Sequence, residues 1–158
     1  MSKKTKTNAM RILDSQKIDY DIYEYENDGK IDGISVAEKI GESKESVFKT
    51  LVLRGSSKEI YICMVPVANE IDMKKLGKIL GEKSVMPVNP SELQKLTGYI
   101  RGGCSPIGMT KKYDTVLDIS ALDLDRIIVS GGKIGTQIKI KVEDLIRLTG
   151  AKLEEVKR

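Results

Sequence analysis

Histidine is absent from the 158-residue chain, and this absence excludes more chemistry than any other feature of the composition. Ser-His-Asp and Cys-His nucleophilic systems need an imidazole as their general base. Metal sites of the HExxH type and most catalytic zinc sites use histidine ligands. Any reaction must therefore use lysine, carboxylates, hydroxyls, backbone amides or groups of the substrate itself, and no metal site is expected.

Cysteine is scarce, since the chain has only Cys63 and Cys104 and neither belongs to a Cys-x-x-Cys motif. Cys104 has no histidine to activate it, so it is interpreted as a loop residue rather than a nucleophile. Cys63 lies in an apolar segment and is predicted to be in the core. Residues 2–6 are polar and basic, so no secretory signal or membrane segment is expected, and the cytoplasm is the expected compartment.

Aromatic residues are also few, with six tyrosines, one phenylalanine and no tryptophan. A base-stacking platform built from many aromatic rings is therefore not expected. The net charge of +4 permits a polyanionic partner but does not require one, because 23 acidic residues offset 27 basic ones. A chain of this length suits one domain with a hydrophobic core.

Short helical and strand-like segments alternate along the chain without a regular βαβ rhythm. The capping and periodicity signals predict helices at 7–16, 35–40, 73–80, 90–97 and 143–148, and strands at 20–25, 47–54, 60–67, 85–88, 116–119, 126–130 and 137–142. Ser35 is the predicted N-cap of the second helix, and Gly131-Gly132 is predicted to open a turn. The pattern indicates an α+β fold, with a mixed curled sheet and helices packed around it.

Lys49 is an unusual residue for its place in a predicted strand. Alternate residues of a strand share a face, so Lys49 shares one with Val47, Leu51 and Leu53. One interpretation is a strand-end lysine that reaches water along its aliphatic stem. The other is an ammonium group directed into a pocket, where it would hold a phosphate or a carbonyl oxygen.

Two glycine-rich segments are candidates for ligand contact. Residues 102–108 hold three glycines and a proline, which let a ligand approach the main chain and leave amides free for an oxyanion. A tight connection between two elements is the alternative interpretation. Residues 130–135 lack the spacing of a phosphate-binding P-loop and, taken alone, indicate a glycine hairpin.

Several segments, taken in order, resemble the YbaK/EbsC family of aminoacyl-tRNA deacylases, which is related to the editing domain of bacterial prolyl-tRNA synthetases. The matching segments are 48–51 (FKTL), 65–68 (VPVA), 72–75 (DMKK), 97–99 (TGY), 102–108 (GGCSPIG) and 129–133 (VSGGK). They extend over nearly the whole chain. The resemblance implies a single α+β domain over residues 1–158, with a mixed β-sheet closed into a barrel-like core and helices around it.

The resemblance also implies an activity, the trans-editing hydrolysis of Cys-tRNA(Pro), which forms when a prolyl-tRNA synthetase mistakes cysteine for proline. Lys49 would hold the 3′ end of the tRNA, and Gly102 and Gly103 would give backbone contacts beside the scissile ester. The other expected substrate-binding residues are Tyr25, Thr50, Ser105, Pro106, Ser130, Gly131 and Gly132. The thiol of the substrate cysteine would attack its own ester, so no metal, cofactor or protein nucleophile is implied. The expected partners are aminoacylated tRNA and a prolyl-tRNA synthetase, with no membrane.

Two departures from the family pattern concern the choice of amino acid. A pocket aromatic is replaced by a residue near Ile31 or Asp32, and an acidic residue after the Ser-Gly-Gly turn is replaced by Gln137. Removal of alanine or proline is therefore an alternative to removal of cysteine. A second alternative is a non-catalytic module that binds tRNA ends or a synthetase.

Overall fold

The computed structural model describes residues 6–158, which form one mixed α+β domain, as the sequence predicted. Most of the N-terminal segment 2–6 lies outside the described residues. The α-helices of the described part are Asn8–Ser15 (α1), Gly33–Ile40 (α2), Met73–Leu80 (α3), Pro90–Thr97 (α4) and Val142–Thr149 (α5). None of these described helices has the length and apolar character needed to cross a membrane.

The helices begin and end at local signals in the sequence. The side chains of Asp72 and Asn89 cap α3 and α4 by accepting hydrogen bonds from backbone N–H groups, as predicted. The predicted cap of α2 at Ser35 is wrong. This helix begins two residues earlier, because the Asp32 carboxylate accepts from the Ser35 N–H at 3.1 Å. A carboxylate at this position also interacts favourably with the positive end of the helix dipole.

Two separate sheets organise the strands of the described residues. The strands are Tyr20–Glu24 (β1), Phe48–Gly55 (β2), Ile60–Pro66 (β3), Val85–Pro87 (β4), Asp114–Asp118 (β5), Arg126–Lys133 (β6), Thr136–Lys141 (β7) and Lys152–Glu154 (β8). One sheet has the order β1-β7-β6 and is antiparallel. The other has the order β4-β2-β3-β5-β8 and is mixed, because β5 runs parallel to both β3 and β8.

The sheets do not close into the predicted barrel, and that part of the fold prediction is wrong. Within residues 6–158 they meet at an isolated parallel bridge between Val47 and Ile128, where the Ile128 N–H donates to the Ser46 carbonyl at 2.9 Å. β2 then pairs with β4 only from Leu53 onward. The Val52 carbonyl still accepts from the Val88 N–H at 3.0 Å, so the stretch of β2 between the bridge and Val52 lacks a strand partner on that side.

β6 differs from its prediction at its end. The strand continues through Gly131 and Gly132 to Lys133, and the register with β7 shifts between Ser130 and Lys133. The two glycines therefore form a bulge inside the strand and do not open a turn. The chain reverses after Lys133, before β7 begins at Thr136. A bulge of this kind bends the strand locally and changes where its side chains point.

The largest part of the core lies against the three-stranded sheet and α1. It contains Leu13, Phe48, Leu117, Ile138 and Ile140, which are almost fully buried. A second cluster packs α3 on the five-stranded sheet. Its members include Leu53, Leu76 and Cys63, so the assignment of Cys63 to the core is confirmed. Burial raises the pKa of the Cys63 thiol to about 12.

Candidate functional site

A cavity of about 640 Å³ lies beside the free stretch of β2. Its wall is formed by β2, the segment between β1 and α2, the start of α2, the loop after α4, and parts of β6 and β7. Five of the predicted site residues line it: Tyr25, Lys49, Thr50, Gly102 and Ser130. The volume is in the range of ligand sites in proteins.

The hydrogen-bond pattern of β2 shows which backbone groups face this cavity. The Val67 N–H donates to the Val47 carbonyl at 2.8 Å, and the Gly55 N–H donates to the Glu59 carbonyl at 2.9 Å. In an antiparallel pair such bonds recur at every second residue, so the odd-numbered residues of β2 are bonded to β3. The N–H and C=O of Thr50 therefore point to the other side, where β2 has no partner strand. The peptide groups of Thr50 are therefore open to a ligand.

Lys49 lies on the cavity wall with its side chain partly exposed. The regular β2–β3 register places it on the same face as Leu51 and Leu53, as the alternation predicted. Its ammonium lies 3.6 Å from a carboxylate oxygen of Glu70, which is itself mostly exposed. Lys49 thus combines parts of both interpretations, because it lines a pocket and also reaches a solvent-exposed partner.

Two buried hydroxyls in the cavity wall lack a hydrogen-bond partner. Among the described residues, the Tyr25 hydroxyl and the Thr50 Oγ1 are buried and make no hydrogen bond. Such a group costs about 1–3 kcal/mol relative to a satisfied one. Buried polar groups are usually paired, so these two hydroxyls leave hydrogen-bonding capacity unused in residues that line the cavity.

Tyr25 is positioned by contacts from Gly135 and Lys39. Its N–H donates to the Gly135 carbonyl at 3.0 Å, and the Lys39 ammonium lies 5.7 Å from the centre of its ring. Lys39 also donates to the carbonyls of Glu26 and Lys30, at 3.0 and 2.7 Å. Lys39 therefore fixes the loop after Tyr25 through hydrogen bonds and also contacts the ring of Tyr25.

The loop after α4 contributes fewer residues to the wall than predicted. Gly102, with φ +87°, and Cys104 line the cavity. Gly103 is buried against the β6–β7 connection, and its N–H donates to the Ile100 carbonyl at 3.0 Å, so this amide is not free for an oxyanion. Ser105 is fully buried and accepts from the Ile107 N–H, and Pro106 lines a separate, smaller cavity.

Of the Ser-Gly-Gly segment, Ser130 lines the cavity and the two glycines have packing contacts instead. The Gly131 carbonyl accepts a hydrogen bond from the Thr7 hydroxyl at 2.5 Å. A Cβ at Gly132 would lie about 3.1 Å from the Cβ of Thr7 and 3.2 Å from the ring of Tyr99. These glycines let α1 and the α4 loop approach β6 closely.

Other wall residues were not among the site residues predicted from the sequence. Val36, Val47 and Phe48 form apolar wall, and the exposed Arg101 lies at the rim. Cys104 is the wall thiol, and burial raises its pKa to about 11, so it is a neutral thiol at physiological pH. In residues 6–158, no group of three or more cysteine, aspartate or glutamate side chains is arranged to hold a metal ion.

The chain matches the model of the aminoacyl-tRNA editing domain over residues 33–148. It is 42% identical over 152 residues to an Enterococcus faecalis protein named provisionally as the Cys-tRNA(Pro)/Cys-tRNA(Cys) deacylase EbsC, covering 96% of this chain and 93% of that one. It is 29% identical over 97 residues to a proline–tRNA ligase of Brachyspira hyodysenteriae, covering 61% of this chain and 17% of the ligase.

A crystal structure described as that of a provisional trans-editing enzyme for prolyl-tRNA synthetase has the same fold. It superimposes with a TM-score of 0.84 at 22% identity, covering 98% of this chain and 99% of the other. The family match extends over most of the chain, and the cavity described above is built largely from the matched residues. The chain therefore belongs to the aminoacyl-tRNA editing family.

Proposed function

We propose that this protein is a trans-editing aminoacyl-tRNA deacylase that removes cysteine from Cys-tRNA(Pro). Membership of the editing family supports deacylation of mischarged tRNA, and the name of the Enterococcus faecalis relative supports cysteine as the amino acid. The expected partners are the aminoacylated 3′ end of tRNA and a prolyl-tRNA synthetase. The expected place of action is the cytoplasm, where charged tRNA is used.

The observation that carries the proposal is the free edge of β2 in the cavity wall. The peptide groups of Thr50 point there, and Lys49 lines the same wall. The buried hydroxyls of Thr50 and Tyr25 have no hydrogen-bond partner among the described residues. Such an arrangement suits an aminoacyl ester, which presents an ammonium group, a carbonyl and ribose hydroxyls close together. Lys49 is assigned to hold the 3′ end of the tRNA.

The proposed reaction uses the thiol of the substrate. The cysteine thiol loses its proton, the sulfur attacks its own carbonyl carbon, the C–S bond forms, the ester C–O bond breaks, and the leaving ribose oxygen takes up a proton. Water then opens the resulting thiolactone to free cysteine. The cavity needs only to fold the cysteine back on its ester, and such positioning can contribute several kcal/mol.

Among the described residues, the cavity wall has no activated protein nucleophile that could compete with the substrate thiol. Cys104 is a neutral thiol, and Ser130 has no imidazole to take its proton, because the chain has no histidine. The amides of Gly102 and Cys104 are the loop groups proposed to stabilise the oxyanion. The Gly103 amide is left out of this role because it closes the turn with Ile100.

A deacylase with a preference for alanine or proline is the second candidate. Gln137 is buried, lines the cavity and carries no charge at its side chain, and Ile31 lines the wall near Asp32. Neither side chain has a feature that would require a thiol in the substrate.

A panel of charged tRNAs tests the proposal. Purified protein should release cysteine from Cys-tRNA(Pro) faster than it releases alanine or proline from Ala-tRNA(Pro) and Pro-tRNA(Pro). Faster release of alanine or proline would transfer the assignment to the second candidate. Salt-sensitive binding of the charged tRNAs without release of any amino acid would instead indicate a non-catalytic module that binds tRNA ends.

A further inference from the structure

Three charged side chains line the cavity: Asp32, Lys49 and Arg101. Asp32 caps α2, and its carboxylate accepts hydrogen bonds from the N–H and the hydroxyl of Ser35. Lys49 is paired with Glu70. Arg101 is exposed, and within residues 6–158 no carboxylate lies close enough to form a salt bridge with it. Of the two cations on the wall, Arg101 is thus the one without a salt-bridge partner in residues 6–158.

The backbone that carries Arg101 is held firmly. The Gly103 N–H donates to the Ile100 carbonyl at 3.0 Å and closes a turn around Arg101 and Gly102. Gly103 packs so tightly on the β6–β7 connection that a Cβ there would lie 2.9 Å from the Ile134 nitrogen. The guanidinium therefore extends from a fixed point on the cavity rim, which lowers the ordering cost of binding an anion.

We propose that Arg101 binds the 5′ phosphate of the terminal nucleotide whose ribose carries the aminoacyl ester. This inference rests on the proposed function and adds a residue that selects the substrate class. A guanidinium presents two parallel N–H donors that match a phosphate, and the contact is charge-assisted. The ester and its own 5′ phosphate belong to one nucleotide, so a cation on the rim of the ester-binding cavity can contact that phosphate. Such contacts position a nucleic acid without reading its sequence.

Two small substrates isolate this contact, the cysteinyl ester of adenosine and the cysteinyl ester of adenosine 5′-monophosphate. The wild-type protein should prefer the phosphorylated ester by about tenfold in kcat/KM, mainly through KM. Arg101→Ala should reduce this preference to near one. Arg101→Lys should retain part of it, because an ammonium keeps the charge but lacks the fork. Arg11→Ala, which changes an exposed arginine of α1 outside the cavity wall, should keep the wild-type preference.

An unchanged preference in Arg101→Ala would overturn the inference even if both esters are cleaved. If neither ester is cleaved by any variant, the inference is decided by binding alone, and the proposed function is decided by the panel of charged tRNAs. Adenosine 5′-monophosphate and adenosine can be titrated separately while backbone amide NMR shifts are followed. Tighter binding of the monophosphate by about tenfold, lost in Arg101→Ala, supports the phosphate contact, and equal affinities for the two probes contradict it.

Discussion

Removing the Thr50 hydroxyl should stabilise the free protein and at the same time slow its reaction. Thr50 Oγ1 is buried and has no partner in the described residues. Valine has nearly the same shape and suits a strand, so Thr50→Val replaces an unsatisfied polar group with a methyl group. We expect the free energy of unfolding to rise by about 1 kcal/mol, which corresponds to an increase in Tm of roughly 2–4 °C for a protein of this size. Deacylation should fall about tenfold, because the substrate loses a hydrogen bond.

Thr97→Val is the matched control for this prediction. The Thr97 side chain is fully buried, and its hydroxyl donates to the Leu93 carbonyl at 2.8 Å and accepts from the Tyr99 N–H at 3.0 Å. Its loss should lower the free energy of unfolding by about 1–2 kcal/mol. Urea unfolding of both variants and the wild type measures the difference. If Thr50→Val destabilises the protein as much as Thr97→Val does, the reasoning about an unsatisfied hydroxyl is refuted.

Three further predictions follow from the same structure. Lys49→Ala should lower kcat/KM for Cys-tRNA(Pro) by about a hundredfold with the fold retained, and Lys49→Arg should also be impaired. Near-normal turnover of Lys49→Ala would remove this residue from the site. Cys104→Ser and treatment with EDTA should each leave most activity, and a loss that zinc reverses would contradict this. Hydrogen bonds from Ser57 and Tyr61 lower the pKa of Glu82 to about 2. The stabilisation from this carboxylate is therefore present above the unfolded pKa of about 4.3 and is lost as the pH falls toward 2. Urea unfolding at pH 5 and pH 3 should show a smaller change in the free energy of unfolding for Glu82→Gln than for the wild type.

The helices were predictable because their ends depend on local chemistry. Asp72 and Asn89 are strong caps with a glycine at the far end of each helix, so both α3 and α4 were predicted with correct bounds. The cap of α2 was missed by three residues because both Asp32 and Ser35 are good N-caps, and only the folded backbone shows which one is used.

The long-range arrangement was less predictable. The resemblance implied a closed barrel, but closure depends on which strand edges meet, and sequence patterns do not encode that. β8 was not predicted, since Lys152–Glu154 is only three residues long and mostly charged. The sequence predicts a turn where β6 has its bulge, because glycine pairs are typical of both.

Only part of the candidate site was predictable, because the sequence shows which residues are unusual but not which of them face the cavity. Lys49 was identifiable because a cation among aliphatic neighbours is unusual. A glycine, in contrast, can allow a ligand or another backbone to approach closely, and the sequence does not distinguish the two. Gly102 lines the cavity, whereas Gly103 and Gly131 are packed against neighbouring segments of the chain. Arg101 was missed because an exposed arginine is ordinary until the cavity beside it is known.

The central claim, that the substrate's own sulfur is the nucleophile, is tested most directly by comparing Cys-tRNA(Pro) with Ser-tRNA(Pro) at several pH values. A free thiol has a pKa of about 8.5, so the rate with Cys-tRNA(Pro) should rise between pH 7 and pH 8 by a factor approaching about eight. Ser-tRNA(Pro) differs by one atom and should be a very poor substrate, because its hydroxyl is barely ionised. Comparable hydrolysis of the two at pH 7 would contradict the account and point to an activated water instead.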